Sequence, residues 1–129
     1  MTTQRATSGS PYEKAFGFCR ALRRGQHVFV SGTAPIAPDG TTATPGDAAG
    51  QMRRCCDIIV AAPAQLGAKP ADVVRTRIIL TDISKWDEVG RVHGDYFGEA
   101  RPVTTMVEAK GLIRADWLVE LEAEALLEE

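Results

Sequence analysis

The apolar positions of the chain repeat with two different periods. From Trp117 to Ala125 they alternate strictly. Trp117, Val119, Leu121, Ala123 and Ala125 fall on one side, and Leu118, Glu120, Glu122 and Glu124 on the other. That two-residue period is that of a strand with one apolar and one mostly acidic face. Leu, Glu and Ala favour helices, but the strictness of the alternation decides for strand. DVVRTRIILT, residues 72–81, is the strongest strand signal, and Val103 to Ala109 reads as another. Phe16 to Leu22 alternates less cleanly and predicts a half-exposed strand. Arg24-Gly25 is a turn signal, so this strand and His27 to Ser31 form a predicted hairpin ended by Gly32.

The longer period predicts two helices. Asp47 can cap the first, which runs to about Leu66 before Gly67 and places Met52, Cys55, Cys56, Ile59, Val60 and Pro63 on one face. Pro63 lacks an amide hydrogen and clashes with the carbonyl of Ile59, which predicts a kink or an early end. Ser84 is the expected cap of the second helix, whose face gathers Trp86, Val89, Val92, His93, Tyr96 and Phe97. Residues 34–45 hold three prolines and an Asp-Gly step and read as a loop. Residues 1–11 read as a loose N-terminal segment. The predicted order is β-β-α-β-α-β-β, an α/β layering with two helices on one face of a mixed sheet. The other sheet face has no helix of its own, which predicts an oligomer.

Length and composition narrow the function classes. A chain of 129 residues is the size of a single domain, here 1–129. Its net charge of -2, with no basic stripe, predicts no strong attraction to nucleic acid or anionic membranes, although Arg20, Arg23, Arg24, Arg53 and Arg54 could gather in a local patch. No apolar run reaches the roughly 18 residues of a membrane span. The polar start, MTTQRATSGSPY, lacks the apolar core of a secretory signal. The cysteine count of three is odd, and adjacent Cys55 and Cys56 are badly placed for bridging, so a reducing cytoplasm is expected. His27 and His93 have no partners at metal-ligand spacing, and no metal or cofactor is expected.

Six short motifs then occur in one order: Ser10-Pro-Tyr12, Val30-Ser-Gly32, Asp72-Val-Val-Arg75-Thr, His93-Gly-Asp-Tyr-Phe97, Pro102 with Val107-Glu108, and Val119-Glu-Leu-Glu122-Ala. Together they resemble the YjgF/reactive intermediate deaminase (Rid) family, also labelled endoribonuclease L-PSP, over about Ser10 to Ala125. The resemblance implies a chorismate-mutase-like fold and a homotrimer with small-molecule ligands in clefts between subunits. It also implies hydrolysis of reactive enamines and imines without a metal. Tyr12, Gly32 and Glu120 match the family's cleft residues. The family's deaminating members carry an arginine two residues after the proline, where it holds the substrate carboxylate. Thr104 stands there in this chain, and Met106 stands where those members often have cysteine.

The chemistry expected of these residues follows. Imine hydrolysis needs a group that moves protons as ammonia leaves, and a carboxylate with a raised pKa suits it. Glu120 is the candidate, with Glu122 pointing the same way two residues on. A planar guanidinium is the usual carboxylate reader, so Arg101 and Arg20 are the candidates to replace the missing clamp. Thr104 and Thr105 offer hydroxyls, Tyr12 a hydrogen bond, and Gly32 close backbone approach to a ligand. His93, on an apolar helix face, reads as a packed histidine, Cys19 as an inert thiol, and Trp86 and Tyr96 as core. Three functions are weighed: an enamine or imine hydrolase with altered ligand selection, a metabolite-binding trimer without turnover, and a ribonuclease or translation inhibitor.

Overall fold

A computed structural model describes residues 2–128. One six-stranded mixed sheet carries the architecture, with strands in the order β1-β2-β3-β6-β4-β5. These are β1 (Thr3–Ala6), β2 (Ala21–Arg24), β3 (His27–Thr33), β4 (Val73–Leu80), β5 (Val103–Glu108) and β6 (Val119–Leu126). The β4–β5 pair is parallel and the other pairs are antiparallel. The long helices are α2 (Ala48–Ala64) and α3 (Trp86–Phe97), and a short α1 (Pro11–Phe16) precedes β2.

The alternation in β6 does what its period predicts. Val119, Leu121, Ala123 and Ala125 are buried, with β3 on one side of the strand and β4 on the other. Met52, Cys55, Cys56, Ile59 and Ala62 of α2 and Val89, Val92 and Phe97 of α3 complete the same core cluster. Asp47 caps α2 as expected, its carboxylate accepting from the Gly50 amide at 2.9 Å. The helix stops at Ala64, one residue past Pro63 and short of Leu66. Its last carbonyls are then taken by the turn at left-handed Gly67, where the Leu66 and Ala68 amides donate to the Pro63 carbonyl.

Four expectations need correction. The N-terminal segment is not loose: β1 pairs with β2 in the register Thr3↔Arg24 to Ala6↔Ala21 and buries Ala6. The predicted strand from Phe16 begins only at Ala21, because Ser10 accepts the Tyr12 amide and Pro11 opens helix α1, ended by left-handed Gly17. The order among the described residues is therefore β-α-β-β-α-β-α-β-β, with three α-helices. Asp82 rather than Ser84 provides the cap before α3: its carboxylate accepts from the Ser84 amide and hydroxyl, and a 3-10 turn leads into the helix. Trp86, expected in the core, is 58% exposed at the first turn of α3.

Candidate functional site

The pairing of β3 with β6 slips between Val30 and Thr33. Beyond this bulge Glu120 of β6 pairs only with Ile79 of β4. The gap opens into a cavity of about 130 Å³. Its walls come from the segment before α1, the β3 bulge, the loop 34–40, one flank of α2 and the strand entering β6. Among the expected site residues, Tyr12, Arg20, Gly32 and Glu120 all line it.

Glu120 is half-buried and, among the described residues, its carboxylate accepts no protein hydrogen bond and makes no ion pair. Burial pushes its pKa above the ordinary glutamate value, with Arg20 pulling the other way and Glu122 adding to the rise. Glu122 itself pairs with Arg77 on the outer sheet face, and Arg75 approaches Glu124 similarly. Gly32 keeps room for the Glu120 carboxylate, since a Cβ there would sit 3.1 Å from Oε1.

Arg20 is a bracket as well as a lining residue. Its Nε lies 3.4 Å from Glu13 Oε2, both side chains being buried, and Nη1 donates to the Gly32 carbonyl at 2.6 Å and Thr33 Oγ1 at 3.1 Å. Glu13 also accepts from Ser8 Oγ at 2.6 Å. The pair thus ties the N-terminal segment and α1 to the β3 bulge. Tyr12 is fixed from another side by Arg114, whose Nε donates to the phenol oxygen at 3.1 Å. The Arg114 guanidinium stacks over both Tyr12 and Trp117. Trp117 lines the cavity, and its buried Nε1 has no hydrogen-bond partner among the described residues.

The remaining expected residues lie elsewhere in the chain. Thr104 and Thr105 sit on the edge strand β5. Thr104 Oγ1 lies 2.8 Å from Thr76 Oγ1, which lies 2.7 Å from His93 Nε2. Burial lowers the His93 pKa, in keeping with a packed histidine whose ring meets Phe97 at a tilt. Arg101 is exposed in the turn after α3, at a φ of 49°, and does not border the cavity.

Among the charged residues of the cavity wall, Arg54 escaped the sequence reading as a site residue. Arg54 stands on the flank of α2 facing the cavity, four residues before Ile58, which also lines it. The signal was available: Arg54 borders the apolar stripe of α2, one turn from Ile58. Among the described residues, no three His, Cys, Asp or Glu side chains converge as metal ligands, and no helix is long and apolar enough to cross a membrane.

Residues 10–127 match the family model described as Endoribonuclease L-PSP. An uncharacterised protein of Streptomyces coelicolor is 38% identical over 122 residues, spanning 95% of this chain and 90% of its own length. The 3-aminoacrylate deaminase RutC of Acinetobacter baylyi is 32% identical over 98 residues, 76% of this chain and 77% of its own. The crystal structure of Rv2704 from Mycobacterium tuberculosis, a member of the YjgF/YER057c/UK114 family, aligns with a TM-score of 0.88 at 46% identity, covering 98% of this chain and all of that one. With the family model matched over residues 10–127 and the fold superimposing over nearly the whole chain, the chain belongs to the endoribonuclease L-PSP, or YjgF/UK114, family.

Proposed function

We propose that the chain is a small-molecule hydrolase that deaminates reactive enamines or imines in this cavity, with Glu120 as the proton carrier. The single observation that carries the reading is a half-buried carboxylate that faces the cavity without a protein hydrogen bond and has a raised pKa. A related protein named as a 3-aminoacrylate deaminase supports the reaction class.

The steps balance on one carboxyl group. Protonated Glu120 gives its proton to the terminal carbon of an enamine, leaving an iminium ion. The carboxylate then takes a proton from water as the water oxygen bonds to the C=N carbon. That proton passes to nitrogen, the C–N bond breaks and ammonia departs with the bonding electrons. The hydroxyl proton returns to Glu120 as the keto group forms. The net reaction is enamine plus water giving ammonia and a carbonyl compound, a ketone from 2-aminoacrylate and an aldehyde from 3-aminoacrylate.

Ligand selection is altered relative to the family's deaminating members, because Thr104 stands where they carry an arginine and its hydroxyl is engaged with Thr76. We take the working form to be a cytoplasmic homotrimer with its ligand clefts at subunit boundaries. The outer sheet face, with exposed Phe29, Val103 and Val107, supports association. Light scattering behind a sizing column tests the assembly.

The activity test is ammonia release from enzymatically generated 2-aminoacrylate and 3-aminoacrylate. Acceleration over the protein-free blank with at least one of them is expected. A rate equal to the blank with both overturns the hydrolase reading and leaves the second one, a trimer that binds a metabolite without turning it over. Arg54, committed to one hydrogen bond among the described residues, favours ligand binding under either reading.

A further inference from the structure

We propose that Arg54 of α2, rather than a residue of β5, anchors the carboxylate of the ligand in this cavity. The inference rests on the reading of the cavity as the ligand site.

Three guanidinium groups stand at or beside the cavity, and they differ in what they have left to offer. Arg20 uses Nε and Nη1 on Glu13, Gly32 and Thr33, and its charge is compensated by a buried carboxylate. Arg114 uses Nε and Nη1 on Tyr12 and Gly40 and lies over two aromatic rings. Arg54 uses Nε alone, donating to the Ile36 carbonyl at 2.6 Å. Among the described residues it makes no ion pair, although it is partly buried against the cavity. Its two terminal nitrogens therefore remain free as a planar, end-on pair of donors, the arrangement that matches the two oxygens of a carboxylate.

Its surroundings hold that pair in place. The Ile36 carbonyl belongs to the loop 34–45, which is closed by the Ile36↔Thr42 bridge. A partly buried guanidinium without a counter-ion carries a desolvation cost that a bound anion offsets. The charge that opposes the raised Glu120 pKa is that of Arg20. Arg54 is thus available to the ligand while Glu120 handles protons, and the two reach the cavity from different elements, α2 and β6.

The rest of the wall selects the body of the ligand. Phe18, Ile36, Ile58, Ile113 and Trp117 present apolar surface. A carboxylate held at Arg54 with an aliphatic chain along these residues satisfies both the charge and the apolar lining.

The test is calorimetric binding of a matched pair, 4-methyl-2-oxopentanoate and the neutral 4-methylpentan-2-one, to wild type, Arg54→Gln, Arg54→Lys and Glu120→Gln. Wild type should bind the acid at least about tenfold more tightly than the ketone. Arg54→Gln should remove that preference, and Arg54→Lys, which keeps the charge without the fork, should retain part of it. Glu120→Gln should still bind the acid. Equal wild-type affinity for acid and ketone overturns the proposal without need of any variant that might fold poorly. Undiminished acid binding in both Arg54 variants overturns it too. Arg54-dependent binding without turnover of any enamine supports this proposal while the hydrolase reading fails, and turnover of enamines with no Arg54 dependence does the reverse.

Discussion

Two polar networks lie on opposite sides of β6, and they treat their hydrogen-bonding capacity differently. Under the β4–β5 edge, His93, Thr76 and Thr104 are bonded to one another in a chain. At the cavity, the Glu13–Arg20 bracket is equally self-contained, yet beside it Glu120 and the terminal nitrogens of Arg54 stay unspent. The first arrangement fixes a strand edge against a helix. The second fixes walls and leaves a carboxyl group and a guanidinium facing an open space. Unsatisfied polar capacity in a shaped cavity is what a ligand can use; satisfied capacity is structure.

The sharpest way to break this comparison is to remove the bracket. Glu13→Ala leaves the Arg20 charge buried without its partner, and loss of about 3–5 kcal/mol of stability is expected. Chemical denaturation measures it, and ligand affinity should fall as well, because α1 and the β3 bulge lose their tie. Thr76→Val is the matching cut at the other network. It should cost about 1–3 kcal/mol by orphaning its partners but leave binding of 4-methyl-2-oxopentanoate unchanged. If that binding weakens, the two regions are coupled and the division drawn here is wrong.

The two networks also respond to pH in opposite senses. The folded-state pKa of Glu120 is raised above the ordinary 4.5, so stability is fully present below that value and falls as pH rises through the folded pKa. Glu120→Gln should therefore stabilise the protein near neutral pH, with the gain vanishing in acid. The folded-state pKa of His93 is lowered from 6.5, so its contribution is present above that value and is lost as pH falls through the folded pKa. His93→Gln should flatten the acid limb of the same thermal-unfolding profile. The smallest effect concerns Arg101. Its left-handed backbone favours glycine, and Arg101→Gly should stabilise by about 0.5 kcal/mol without touching ligand affinity. A clear loss of affinity would restore Arg101 as a clamp, supplied across a subunit boundary.

The same contrast explains what the sequence made legible. Long periodic segments, β4, β6 and α2, were readable because one face of each is buried along its whole length. Their alternation also placed Glu120 off the core face, next to the strand that slips away from it. Short elements were not readable by period. Helix α1 has six residues, and only its Ser10-Pro11 start marks it; β1 has four and takes its stability from pairing with β2. Trp86 was misplaced because an aromatic at the first position of a helix can lie on the extended stripe and still be exposed before the packed turns begin. Arg54 was missed because, beside Arg53, the sequence does not say which of the two arginines turns inward. Only the fold separates them: Arg53 turns to Asp95 on the surface, and Arg54 turns to Ile36 and the cavity.

The measurement that bears most directly on the central claim is the rate of ammonia release from 2-aminoacrylate by wild type and Glu120→Gln, compared under the same conditions with binding of the oxo acid followed in parallel. Removing the proton carrier should cut the rate by about 10²–10⁴-fold while the oxo acid still binds. A Glu120→Gln protein that binds the acid and releases ammonia at the wild-type rate would contradict the account.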